Sequence, residues 1–95
     1  MVFIHDDDGN TVGKFNISKA KYITDNKENK DTRWTQLLRT KNGNHILAHR
    51  SQWQGEDTRF SQVTPEEAVE FMERCECEEK EIQKEFPDYK ETESI

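Results

Sequence analysis

The chain has 95 residues, 31% of them hydrophobic and 36% charged, with a formal net charge of −6. A domain this short buries only roughly 60–65% of its unfolded surface, so the composition excludes a large core. The acidic balance also makes the chain a poor general binder of nucleic acid, because phosphate contacts need clustered Lys and Arg.

No apolar run approaches the roughly 20 residues of a membrane span, and no signal peptide precedes the first charges. A cytoplasmic setting is therefore expected. Cys75 and Cys77 make no disulfide framework. The charge is uneven: residues 64–95 hold 12 acidic and 4 basic side chains, and residues 1–63 hold 8 acidic and 10 basic.

Val2 to His5 reads as a strand, residues 6–10 (DDDGN) as a turn, and Thr11 to Phe15 as the return strand of a first hairpin. Over residues 19–24, either Ser18 caps a short helical turn from Lys19 to Ile23, or Tyr22 and Ile23 carry a strand from Lys21 to Thr24. Residues 25–33 (DNKENKDTR) have no apolar side chain and read as a solvated loop. Then comes the central hairpin. Asn42-Gly43 suits a two-residue turn whose central residues both take positive φ. The apolar residues Trp34, Leu37, Leu38 and Ile46, Leu47, Ala48 stand on either side. Trp34, Gln36 and Leu38 share one face, and Thr35, Leu37 and Arg39 the other. Neither set is purely apolar, so both faces are expected to be partly covered.

Arg59 to Val63 is a third main strand. Thr64-Pro65-Glu66-Glu67 is a helix start: Thr64 as N-cap, Pro65 at the first helical position, Glu67 closing a capping box, and Val63 stapling onto Ala68. Ala68, Met72 and Cys75 continue at helical spacing, which predicts a helix from Pro65 to about Arg74. Beyond it, Ile82 and Phe86 extend the stripe. The helix either runs to Phe86 or breaks near Cys75 to Cys77 and restarts, and Pro87 ends it. The expected fold is α+β: a small antiparallel sheet of three to five strands covered on one face by a C-terminal helix. Residues 1–89 form a single domain, and 90–95 a disordered acidic tail.

The segments LLRTKNGNHIL, SQWQG and TPEEAVEFM, in that order, resemble a family of small bacterial proteins often carried by phages, prophages and plasmids. The likeness covers roughly residues 34–75, through Leu37, Arg39, Thr40, Gly43, Ser51, Trp53, Gly55 and Glu66-Glu67-Ala68. Leu38 and His45 stand where that pattern has aromatics. The resemblance implies a mobile-element setting and a compact sheet-plus-helix fold. The family carries no activity to transfer, but together with the small size, the acidity and the absence of a catalytic set, the resemblance leads to the expectation of a non-enzymatic protein that binds a host protein, as phage-borne inhibitors of bacterial defence do.

The chemistry-bearing residues give no catalytic, cofactor or metal set. His45 and His49 share a strand face but stand roughly 13 Å apart, too far for one zinc ion. Asp6, Asp7, Asp8 and Asn10 lack the closing ligands of a calcium loop. No serine or histidine is paired by spacing with a base and an orienting group, and there is no Gly-rich phosphate loop. Two surfaces remain. Glu66, Glu70 and Glu73 face outward, joined by Glu81 and Glu85 if the helix persists. With Trp53 as an apolar anchor, they suit a basic site on a nucleic-acid-handling host protein. The alternative is weak nucleic-acid binding through Arg33, Arg39, Arg50 and Arg59 of the sheet.

Overall fold

The computed structural model describes residues 1–27, 32–52 and 58–89. Six strands come first: β1 (Val2–His5), β2 (Thr11–Phe15), β3 (Lys21–Asp25), β4 (Arg33–Arg39), β5 (His45–Ser51) and β6 (Arg59–Val63). Two short helices follow, α1 (Pro65–Arg74) and α2 (Glu79–Glu85). The strands form one sheet in the order β2-β1-β6-β5-β4-β3.

The class is α+β, but the sheet has six strands rather than three to five, and the helical segment takes the broken one of its two expected forms, as two short helices. The sheet is also mixed. β1 lies parallel to β6 through the Ile4–Phe60 pair, and the other neighbours are antiparallel. The additional strand is β3, where Tyr22, Ile23 and Thr24 prevail over the helical turn as β-formers. A single 3₁₀ turn lies earlier, at Ile17–Lys19, and Asn16 rather than Ser18 caps it, accepting from the Ser18 amide at 3.1 Å.

Both hairpin turns share one geometry, and it is not the two-residue turn that Asn42-Gly43 suggests. The Thr40 amide donates to the Asn44 carbonyl at 2.8 Å, and the Gly43 amide to the Thr40 carbonyl at 2.9 Å. Gly43 has φ +87°, whereas Asn42 does not take positive φ. This is a three-residue loop, a type I turn followed by a left-handed glycine. The first hairpin repeats it: Asp6 amide to Asn10 carbonyl at 2.9 Å, Gly9 amide to Asp6 carbonyl at 3.0 Å, and φ +85° at Gly9. One side chain tightens each loop. Asp6 Oδ1 accepts from the amides of Asp8 and Asn10 at 3.0 and 2.8 Å, and Thr40 Oγ1 from the Asn44 amide at 3.1 Å.

β2 and β3 are opposite edges of the sheet, yet residues 16–20 alone join them. A flat six-stranded sheet would hold its edges about 24 Å apart. A link of this length containing a 3₁₀ turn reaches only about 16 Å. The sheet is therefore curled. Its concave side holds Ile4, Phe15, Leu38, Ile46, Ala48 and Phe60, with Val2, Ile17 and Ala20 packed against them. Phe15 and Phe60 meet edge to face at 5.4 Å.

The other face carries the helices. Leu37, Ala68, Phe71, Met72 and Ile82 are its buried residues, with Leu47, Val63, Val69 and Phe86 alongside. α1 begins as the sequence predicts: Thr64 Oγ1 accepts from the Glu67 amide, and the Glu67 carboxylate from the Thr64 amide, both at 3.2 Å. α1 then stops. The Cys77 amide donates to the Met72 carbonyl at 3.1 Å and the Glu76 amide to the Glu73 carbonyl at 3.0 Å. These are the two bonds of a Schellman ending, with Glu76 (φ +60°) in the left-handed position that glycine usually fills. The stripe thus breaks at Cys75 to Cys77 and restarts as α2.

Candidate functional site

α1 buries Ala68, Phe71 and Met72, which turns the intervening residues outward. Glu66, Glu70 and Glu73 are all exposed, at the i, i+4, i+7 spacing of one helix face. None of the three forms an ion pair with another described residue. Residues 64–89 hold ten acidic and three basic side chains, whereas the described part of residues 1–63 holds four acidic and nine basic. The molecule therefore has an acidic layer of helices on a basic sheet. Trp53, the other residue proposed for partner contact, lies outside the described residues, as does the 90–95 tail.

Beside Glu66 runs a groove of about 400 Å³ between the start of α1 and the chain after α2. Pro65, Val69, Phe86, Pro87 and Tyr89 line it, and the charged residues at its walls are Glu66, Glu85 and Asp88.

Glu85 does not project outward as helix continuity suggests. Its side chain is only 6% exposed, and its two oxygens accept from Arg39 Nη1 and pair with His45 Nε2, both at 2.8 Å. The break before α2 is the reason. Restarting at Glu79 re-phases the helix, so that Glu85 and Phe86 follow Ile82 onto the sheet side. The His45 ring also stacks against Phe86, centroids 4.7 Å apart. Arg39 and His45 are a cross-strand pair on the helix-covered face of the sheet. Glu85 supplies the carboxylate above this pair, and no local pattern in the sequence signals it.

The arginines separate accordingly. Arg39 is held by Glu85, whereas Arg33, Arg50 and Arg59 line one cavity of about 360 Å³ at the far end of the sheet, with His49, Thr35 and Asn26. No carboxylate is among the described residues that line it. His49 sits between two hydroxyls, Thr35 Oγ1 at 3.3 Å from Nδ1 and Ser61 Oγ at 3.1 Å from Nε2. Burial, and then the nearby Arg59 guanidinium, hold the imidazole below its ordinary 6.5. A serine against a neutral imidazole is half of a nucleophile–base pair. Here a threonine hydroxyl stands where an orienting carboxylate would be, and Ser61 does not line the cavity. The cluster reads as a structural network beside a cationic recess.

Near that recess, Lys27 Nζ stands 4.2 Å above the Trp34 ring, and the Arg50 Nε donates to Gln36 Oε1. Trp34 Nε1 is buried without a hydrogen-bond partner among the described residues. His45 and His49, though on one strand face, serve different networks. Among the described residues, no group of three or more His, Cys, Asp or Glu is placed to hold a metal ion. No described helix is long and apolar enough to cross a membrane. Compared with protein-family models, curated proteins and solved structures, the chain matches none of them.

Proposed function

We propose that the chain is a non-enzymatic binding protein of mobile-element type, working in the cytoplasm as an inhibitor of a bacterial defence system in the manner of an anti-CRISPR. Its target is a basic site on a nucleic-acid-handling host protein, contacted through Glu66, Glu70 and Glu73. The observation that carries this reading is the unpaired carboxylate ridge on a helix whose opposite face is anchored in the core. Carboxylates at i, i+3 and i+4 lie roughly 5–6 Å apart, broadly like phosphates along a strand. A ridge of this kind fits a groove built for a nucleic-acid backbone.

Rim charges speed association and select the partner but add little affinity. An apolar anchor must supply the rest. Trp53 is one candidate, and the groove beside Glu66, with Val69, Phe86 and Tyr89, is a receptor for an apolar side chain of the partner. The test begins with affinity capture of a host protein, followed by titration of the purified pair. Reversing Glu66, Glu70 and Glu73 to Lys abolishes binding on this reading. Binding that survives the triple reversal with unchanged salt dependence rejects it.

A second reading, weak nucleic-acid binding through the sheet, is supported by the recess where Arg50 and Arg59 come together, with no carboxylate among the described residues that line it. It requires DNA or RNA binding whose logarithm falls steeply with the logarithm of salt concentration. Binding to nucleic acid that disappears in the double variant Arg50→Ala/Arg59→Ala selects this reading over the first.

A further inference from the structure

The groove beside Glu66 defines the partner more narrowly than the ridge does. One wall is α1. Val69 lies four residues after Pro65 and three after Glu66, so the three share a helix face. Val69 is also four residues before Glu73, so the groove opens alongside the ridge. The other wall is a turn after α2. The Tyr89 amide donates to the Phe86 carbonyl at 2.9 Å, Pro87 takes the second position, and Gln83 Nε2 donates to the Tyr89 carbonyl at 3.3 Å. The His45 ring supports Phe86 from the sheet side. Both walls are therefore in place before anything binds.

Val69, Phe86 and Tyr89 are half-buried. Each packs against the helix-covered core and keeps a surface open to the groove. Glu85 is turned away onto Arg39 and His45. Glu66 on one wall and Asp88 on the other are exposed, and neither forms an ion pair with another described residue. No basic side chain is among the described residues that line the groove. An apolar floor thus lies between two uncompensated carboxylates. A second copy of this chain would set the same acidic layer against itself. Residues 90–95 hold two acidic side chains and one basic, so the chain's own end would bring carboxylates to carboxylates. Charge complementarity favours a basic partner instead.

We infer that the groove takes one apolar side chain of the partner, a Leu, Met or Phe, flanked on both sides by Lys or Arg. The inference rests on the acidic-ridge reading and names the sequence chemistry that the ridge selects. The apolar side chain covers Val69, Phe86 and Tyr89. A cation on one side of it meets Asp88, and cations on the other side follow Glu66, Glu70 and Glu73, which span about 10 Å along the helix. Burial of the apolar side chain supplies the affinity that exposed charges do not.

The test is a titration of the full chain at near-physiological salt, followed by amide shifts in NMR, with the blocked peptides KRLKRK, KRSKRK and EELEEE. The basic leucine peptide is expected to shift the amides of Val69, Phe86, Asp88 and Tyr89 together with those of Glu66 and Glu70. It binds about tenfold or more tightly than the serine peptide. Asp88→Lys lowers its affinity about fivefold, while Asp7→Lys, the same charge change in the first hairpin turn, keeps it within about twofold. Both residues are exposed, so the variants keep the wild-type circular dichroism. The proposal is overturned if the leucine and serine peptides bind equally, if the acidic peptide binds as tightly as the basic one, or if Val69, Phe86 and Tyr89 do not shift. It is also overturned if these amides move on dilution of the chain alone, which marks a second copy, or in Ile95→Ser without peptide, which marks the chain's own end. Each of these failures leaves the ridge reading standing, because the triple reversal of Glu66, Glu70 and Glu73 is scored on the captured host protein. Groove shifts with the leucine peptide, beside a host complex indifferent to that reversal, reject the ridge and keep the groove.

Discussion

Leu37 and Leu38 are neighbours in the chain and belong to different cores. Leu37 is fully buried under the helices, and Leu38, 5% exposed, lies on the concave side. The helix-covered core is assembled by a segment that carries its own start signal and is then locked by the buried Glu85 carboxylate on Arg39 and His45. No α-helix among the described residues covers the concave core. It is closed by the sheet folding on itself, because a short link ties its two edges together. One face therefore depends on local helix chemistry and a polar clamp, and the other on long-range strand placement alone.

Deletion is the strongest way to break this comparison. A 1–63 fragment retains all six strands but loses the helices, leaving Leu37, Leu47 and Val63 bare. It is expected to be unfolded or aggregated in circular dichroism and size-exclusion chromatography. A soluble fragment with a cooperative melt shows instead that the concave core suffices.

Single truncations compare the two cores directly. Phe60→Ala on the concave side is expected to cost about 3–5 kcal/mol, and Met72→Ala under the helices about 2–5 kcal/mol. Phe60 is 6% exposed and Met72 2%, so both fall well within the range measurable by urea denaturation. A cost below about 1 kcal/mol at either site means that its core is loosely packed.

The clamp comes next. Glu85→Ala strips the carboxylate from His45 and Arg39. Breaking a buried pair costs about 3–5 kcal/mol, and the low end is expected, near 3, because water reaches Arg39. Arg39 is 36% exposed in its side chain, against 6% for Glu85. Amide exchange in α2 should accelerate more than exchange in β1 and β2. Equal acceleration everywhere means that Glu85 stabilises the whole fold rather than the docking of α2.

The ends of α1 give the smallest effects, with opposite signs. Thr64→Ala removes the partner of the Glu67 amide and should cost about 1 kcal/mol. Glu76→Gly relieves an L-residue of its left-handed φ of +60° and should stabilise by about 1 kcal/mol. An unchanged midpoint for Glu76→Gly shows that the break after α1 carries no backbone cost.

His49 adds a pH dependence at the open end of the sheet. Its folded value lies below the ordinary 6.5 because burial and Arg59 favour the neutral ring. The stabilisation is present in full above 6.5 and is lost as pH falls from there through the folded value, since the unfolded chain takes up the proton first. His49→Gln should flatten the stability–pH curve below 6.5. An identical slope in wild type and variant assigns the dependence to other groups.

Much of the fold is legible locally. The start of α1 is written in Thr64, Pro65 and Glu67, because a cap needs only residues within one turn. The two hairpins announce themselves through Gly9 and Gly43, and the Leu37-Leu38 pair signals two covered faces. The exposed ridge of Glu66, Glu70 and Glu73 follows from helix periodicity once the buried face is known. Other features depend on residues far apart in sequence. The parallel β1–β6 pair joins the first and last strands, and no local pattern encodes such a partner. Glu85 turns inward because Arg39 and His45, at least 40 residues earlier, wait beneath it. Arg50 and Arg59 look like scattered surface charge until the pairing of β5 with β6 brings them to one recess. Capping, turns and periodicity are short-range interactions and are determined by the sequence itself. Strand neighbours, the inward turn of a carboxylate and the meeting of like charges were decided only by tertiary packing, where the desolvation of one group fixes the partner it must have.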